Sequence, residues 1–126
     1  METVTHAISW FEIAVLDFER ARRFYSAIFD YDMPQMQMGP NLMGFLPHVQ
    51  GTGIGGAIVR GAGRAPSRTG ALVYLNGGAD LAKVLARVVD AGGAVLQAKT
   101  EVAPGMGFYA ELLDSEGNRI GLHSPG

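Results

Sequence analysis

The alternation of apolar and polar residues predicts most of the first half of the chain. Residues 8–15 alternate, and the side that carries Phe11 and Ile13 is the more apolar, so we predict a strand with this side against a helix. Asp17 fits the N-cap of that helix, and apolar residues recur at helical spacing over residues 18–29. Three further strands are then predicted, at residues 31–38, 42–46 and 55–59.

The pattern restarts after a polar linker rich in Gly, Pro and Arg at residues 60–69. Residues 71–75 form an apolar strand, Asp80 is predicted to cap a second helix that ends at Gly92, and residues 93–97 form the next strand. The apolar face of this second helix is predicted to contain Leu81, Val84, Leu85, Val88 and Val89.

The chain closes with a predicted hairpin over residues 108–124. Its polar turn, Asp114-Ser115-Glu116-Gly117-Asn118, contains residues that tolerate positive φ and side chains that bond to turn backbone. If the turn pairs Leu113 with Arg119, one side of the hairpin carries a phenol, a carboxylate and an imidazole beside a glycine. These residues are Tyr109, Glu111, His123 and Gly121. We expect this side to form a pocket wall.

Both halves therefore have the order β-α-β-β-β. The two capping aspartates, Asp17 and Asp80, are 63 residues apart, which is half of the 126-residue chain and suggests an internal duplication. We predict one domain, residues 1–126, duplicated at about 1–63 and 64–126. Each unit leaves one sheet face without a helix, so two units can enclose a cleft. The expected fold class is α+β, with two β-α-β-β-β modules forming a curled mixed sheet around that cleft.

The composition of the chain argues against several kinds of partner and site. A net charge of −2 gives no electrostatic reason to expect nucleic acid or an anionic membrane as a partner. The absence of cysteine excludes disulfides, zinc–thiolate sites and a thiol nucleophile. No basic start precedes the first apolar residues, and no apolar run approaches about 20 residues, so neither a signal peptide nor a membrane span is predicted. A cytoplasmic location is the expectation.

The two ends of the chain resemble a known family. WFEIAVLDFERARRFYSAIFDYD is similar to the first strand and helix of the vicinal oxygen chelate superfamily, and FYAELLDSEGNRIGLH is similar to its closing turn and last strand. This superfamily includes glyoxalase I, bleomycin-resistance proteins, fosfomycin-resistance enzymes and extradiol dioxygenases. The resemblance implies paired β-α-β-β-β modules, a site in the cleft and a homodimer.

The same resemblance indicates that the usual metal site is missing. Members of the family place a His seven residues before the capping aspartate, and that position is Trp10 here. They place a Glu before the leucine of the last strand, and that position is Gly121. Indole and glycine side chains do not bind divalent cations, so we predict no metal cofactor.

Six residues are candidates for a ligand site: Trp10, Glu12, Tyr74, Tyr109, Glu111 and His123. Glu12 lies in an apolar strand, so it is either a general base or ligand anchor, or a carboxylate paired with an Arg or a backbone amide. The aromatic residues either line a cleft or fill the space of a lost metal site. His123 and Glu111 could join Glu12 in a rebuilt metal site, although a frayed, solvated His123 is favoured. For the arginines of the linker, we favour exposure to solvent over contact with an anionic ligand. These residues are Arg60, Arg64 and Arg68.

Three functions are compatible with these residues. The first is a metal-independent binder of a small aromatic or amphipathic molecule. The second is a lyase- or isomerase-type enzyme of the glyoxalase class with Glu12 as base. The third is a dimeric interaction module with a vestigial cleft.

Overall fold

A computed structural model describes residues 3–126 and shows the order β-α-β-β-β twice. The first module contains β1 (Phe11–Ala14), α1 (Phe18–Phe29), β2 (Gln35–Met38), β3 (Asn41–Phe45) and β4 (Gly56–Arg60). The second contains β5 (Val73–Asn76), α2 (Ala82–Leu85), β6 (Ala94–Glu101), β7 (Phe108–Leu113) and β8 (Arg119–Ser124). The predicted order of elements is therefore confirmed in both halves, while their origin by duplication stays a prediction.

Each module forms its own mixed four-stranded sheet. The strand order is β1-β4-β3-β2 in the first sheet and β5-β8-β7-β6 in the second. In both sheets the first strand of the module runs parallel to the last, and the other neighbours are antiparallel. The predicted α+β fold with curled sheets is confirmed, and the hydrogen bonding divides it into two sheets.

The first helix follows the prediction. The side chain of Asp17 accepts a hydrogen bond from the backbone N–H of Arg20, which satisfies one of the free donors at the start of α1. Asp30 adopts a left-handed conformation (φ 52°) and ends the helix. The buried face consists of Phe18, Ala21, Phe24, Tyr25 and Ile28.

The second helix is much shorter than predicted. Asp80 accepts from the backbone N–H of Ala82 at 2.9 Å, but the N-cap position is Leu81, one residue later than predicted. The helix ends at Leu85, and turns continue to Gly92. Because the helical period stops there, Val89 does not return to the core and is 65% exposed. Its assignment to the apolar face is wrong, whereas Leu81, Val84 and Val88 are buried.

Some strand limits also differ from the predicted ones. The first strand begins at Phe11 rather than residue 8, and β2 begins at Gln35 rather than residue 31. β6 extends to Glu101, four residues beyond its predicted end. Its register with β7 shifts on both sides of Gln97, so the strict alternation that marks a strand in a sequence is lost in its second half.

One hydrophobic core joins the two modules. It contains the apolar face of α1, the helix-facing residues of both sheets and the buried residues around α2. The β7–β8 turn adds polar contacts with the first module: Asn118 donates to the carbonyl of Ala14, and Tyr25 donates to Asp114. The shared core and these contacts therefore fix the position of one sheet relative to the other.

Among residues 3–126, no helix has both the length and the apolar character needed to cross a membrane.

Candidate functional site

The hairpin register places the predicted wall residues together. Leu113 pairs with Arg119, so Tyr109 lies opposite His123 and Glu111 lies opposite Gly121. The parallel pairing of β5 with β8 adds Tyr74 beside Gly121. Because Leu75 and Leu122 occupy the alternate positions and are buried in the core, these residues lie on the helix-free face of the second sheet.

Gly121 allows Tyr74 to lie flat on this face. A Cβ added at Gly121 would come within 2.4 Å of the Tyr74 ring, so any larger residue would displace the phenol. Half of the Tyr74 surface stays exposed, at 50%. The position where the resemblance implies a metal-binding carboxylate is thus occupied by an aromatic ring from the neighbouring strand.

Tyr74, Tyr109 and His123 line a depression of about 560 Å³, together with Val102 and Met106. We call it the second-module depression. Val102 and Met106 belong to the loop between β6 and β7 and are missing from the sequence prediction. The sequence did contain a signal for these two residues. They are apolar and lie on either side of Pro104 in a Gly-rich turn, and such turns are usually polar. Met106 is 62% exposed and gives the depression an adaptable apolar rim.

The hydrogen bond of His123 determines its tautomer. Its Nε2 lies 3.0 Å from the carbonyl oxygen of Met106, and a carbonyl only accepts, so Nε2 carries the proton. In the neutral ring Nδ1 is then an acceptor, and no group in residues 3–126 donates to it. The depression is therefore lined by two phenols, a thioether and an imidazole.

Glu111 is paired with Arg119 outside this depression. Its carboxylate forms an ion pair with Arg119 at 2.5 Å and is mostly buried, while the guanidinium is about half exposed. Glu111 shares the sheet face of Tyr109 but does not line the second-module depression.

Trp10 lies in a separate depression on the first module. This first-module depression has a volume of about 590 Å³. Its lining consists of Trp10, Tyr31, Pro34, Met36, Phe45, Leu46, Pro47, His48, Gln50, Gly55 and Gly56. Most of these residues come from the segment after α1 and the loop between β3 and β4, which the sequence analysis did not assign to a site.

Both carboxylate oxygens of Glu12 already have partners. One accepts from the indole Nε1 of Trp10 at 3.3 Å, and the other forms an ion pair with Arg64. The assignment of Arg64 to a solvated linker is wrong, because its guanidinium turns back onto the first sheet. A general base at Glu12 would have to lose this ion pair before it accepted a proton.

A third depression of about 520 Å³ follows the free edge of β5. It shares Leu46, Pro47, Gly55 and Gly56 with the first-module depression and Tyr74 with the second-module depression. The third depression therefore adjoins both of the others through these shared residues. Of the six predicted site residues, Trp10, Tyr74, Tyr109 and His123 line these depressions, whereas Glu12 and Glu111 line none of the three.

The rebuilt metal site considered from the sequence does not form. Within residues 3–126, no three His, Asp or Glu side chains are grouped so that they could hold a metal ion. Glu12, Glu111 and His123 each have a different partner: Arg64, Arg119 and the Met106 carbonyl.

We expect Glu12→Gln to lower the free energy of unfolding by about 0.5–1 kcal/mol, because it removes the charge that pairs with a partly exposed Arg64. Glutamine still offers an oxygen to Trp10, which limits the loss. Urea unfolding measures the change, with Glu19→Gln on the exposed face of α1 as the matched control. An equal effect of both variants would contradict the structural role of the ion pair.

Most of the chain matches a known protein family. Residues 7–122 match the Glyoxalase/Bleomycin resistance protein/Dioxygenase superfamily. None of the curated proteins matches the chain.

Three solved structures illustrate the fold similarity. A glyoxalase I mutant from Zea mays aligns with a TM-score of 0.70 and 18% identity over 93% of this chain, which spans 46% of that chain. A glyoxalase/bleomycin resistance protein from Albidiferax ferrireducens T118 aligns with a TM-score of 0.68 and 17% identity, covering 94% of this chain and 99% of that one. TnmS3, an antibiotic binding protein from Streptomyces sp. CB03234, aligns with a TM-score of 0.65 and 22% identity over the whole of both chains.

Proposed function

We propose that this chain, which belongs to the glyoxalase/bleomycin resistance protein/dioxygenase superfamily, binds a small aromatic or amphipathic molecule in the second-module depression without using a metal. The observation that carries the proposal is the exposed aromatic and thioether surface of Tyr74 and Met106 around a single imidazole. A volume of about 560 Å³ is within the usual range for ligand pockets.

Hydrogen bonding defines the preferred ligand more closely. His123 lines the depression with Nδ1 free to accept a hydrogen bond, and Tyr74 and Tyr109 supply stacking surface. Neither Lys, Arg, Asp nor Glu lines the depression, so it offers no ion-pair partner to a ligand. We infer a neutral aromatic ring that carries a hydroxyl or N–H donor.

The side chains at the expected metal-binding positions support binding without a metal. Trp10 and Gly121 offer no ligand atoms in their side chains, and Glu12 and Glu111 are each neutralised by an arginine. Elemental analysis showing about one zinc, nickel, manganese or iron per chain would overturn this part of the proposal. The full-length likeness to an antibiotic binding protein supports small-molecule binding as a use of this fold.

The test compares 2-naphthol with 2-methoxynaphthalene, which keeps the rings and the oxygen but has no donor. We expect 2-naphthol to bind at least about fivefold more tightly by isothermal titration calorimetry, and His123→Phe to remove that preference. Tyr74→Ala should weaken both probes by about fivefold through lost stacking. Val89→Ala, an exposed apolar truncation outside the depression, is the matched control.

Two results would contradict the proposal. Absence of binding by both probes would exclude a site for bicyclic aromatics. Binding that Tyr74→Ala leaves unchanged would place the ligand elsewhere on the chain. The predicted homodimer and the enzyme with Glu12 as base stay predictions, and no contact among the described residues favours either over the binding function.

A further inference from the structure

The first-module depression has aromatic walls from three separate segments. Trp10 precedes β1, Tyr31 follows α1 and Phe45 ends β3. The rings of Trp10 and Phe45 have centroids 6.3 Å apart and planes inclined by 63°. The hydroxyl of Tyr31 donates to the carbonyl of Phe45 at 2.7 Å, which ties the third ring to the same strand. The three walls are thus held in place before any ligand binds.

Polar contacts fix the orientation of the indole. Its Nε1 donates to Glu12, so the positive edge of the ring is directed towards a carboxylate. A Cβ added at Gly55 would lie 3.2 Å from the indole, which shows how closely the backbone supports it. Trp10 remains substantially exposed, so the indole is a supported surface that is open to solvent.

Like the second-module depression, this one has no charged side chain in its lining, so its attraction for a cation comes from the aromatic faces alone. It contains no Lys, Arg, Asp or Glu, and Arg64 is occupied by Glu12 outside it. The electron-rich faces of aromatic rings attract cations within about 6 Å of the centroid. Two rings inclined at a large angle border a corner in which a rounded cation can approach both, whereas a flat aromatic molecule stacks on only one.

We propose that the first-module depression is a second binding site and that it takes an organic cation of the quaternary or methylated ammonium class, held against Trp10 and Phe45. This site lies beyond the proposed function, because it uses other residues and a different class of ligand. Met36 and Pro47 complete the wall with methyl and methylene contacts that suit the methyl groups of such a cation.

The chain supplies its own reporter, because Trp10 is its only tryptophan. Choline and its uncharged isostere 3,3-dimethyl-1-butanol are titrated at pH 8 and constant ionic strength, with sodium chloride replacing choline chloride in the reference. We expect a saturable change in Trp10 fluorescence with choline and at least about fivefold weaker binding of the isostere. This comparison needs no variant, so it does not depend on the folding of a mutant.

Variants then locate the site. Phe45→Leu should weaken choline binding by about fivefold, and Val89→Ala should leave it unchanged. Equal binding of choline and the isostere, no saturable response, or a response unaffected by Phe45→Leu would each overturn the proposal. None of these outcomes bears on naphthol binding by the second-module depression, so the two proposals fail separately.

Discussion

Replacing Asp114 with alanine is expected to lower the free energy of unfolding by about 3–5 kcal/mol, because a buried hydrogen-bond centre is lost. Asp114 is 4% exposed, and its side chain accepts four hydrogen bonds. One oxygen accepts from the backbone N–H groups of Glu116 and Asn118 at 2.8 and 2.9 Å. The other accepts from the Tyr25 hydroxyl at 2.6 Å and the Asn118 amide at 3.0 Å.

The Tyr25 contact makes this loss larger than that of a turn residue alone. Burial raises the pKa of Tyr25 well above its ordinary value, and the negative charge of Asp114 raises it further, so the hydroxyl keeps its proton and donates. Without Asp114 this hydroxyl is left in the core with no partner, which carries a desolvation cost. Tyr25→Phe, which removes the donor as well, is therefore expected to cost less than Asp114→Ala.

Urea unfolding of three variants measures these differences. Asp32→Ala is the matched control, because the same substitution there removes a side chain that is 93% exposed and pairs only with Arg22. We expect it to change the free energy of unfolding by less than about 1 kcal/mol. If Asp114→Ala is no more destabilising than Asp32→Ala, the turn does not hold the modules together.

Features set by neighbouring residues were predictable from the sequence. The register of the closing hairpin follows from one turn, Asp114 to Asn118, and that register alone places Tyr109 opposite His123. The cap at Asp17 and the buried face of α1 depend on residues within one or two helical turns. The family resemblance likewise rested on these two local segments.

Features set by distant partners were not predictable. Glu12 alternates correctly onto the helix-free face, but nothing in its surroundings identifies Arg64, 52 residues later, as its partner. The two depressions depend on where the loops between β3 and β4 and between β6 and β7 lie in space. Periodicity gives the face of a strand but not the path of a loop, so the sequence could not show which of the predicted residues share a depression.

The contact between Glu116 and the start of α1 makes stability depend on pH. One carboxylate oxygen accepts from the backbone N–H groups of Leu16 and Asp17 at 3.2 and 2.8 Å, and the other accepts from Arg20 Nε at 2.7 Å. The side chain is 1% exposed. A carboxylate from the second module therefore satisfies free donors ahead of the first helix, where negative charge is also favoured by the helix dipole.

The direction of the pH effect follows from the pKa of Glu116. Burial raises it, but the hydrogen bonds from Arg20 and from the N–H groups of Asp17 and Leu16 together outweigh burial, so the net pKa lies below the ordinary value of 4.5. A carboxyl group with a lowered pKa in the folded state stabilises the protein above its unfolded pKa. That contribution is lost as the pH falls through the folded pKa.

Glu116→Gln is therefore expected to lower the free energy of unfolding by about 2–3 kcal/mol at pH 7, because charge-assisted hydrogen bonds to Arg20 and two backbone groups lose their charge. The gap between wild type and variant should narrow as the pH falls below 4.5, since protonated Glu116 then resembles glutamine. Urea unfolding from pH 7 to pH 3 measures both curves, with Glu19→Gln, an exposed position on α1, as the control. A gap that stays constant over this range would show that the charge of Glu116 contributes nothing and that only its shape matters at the junction of the modules.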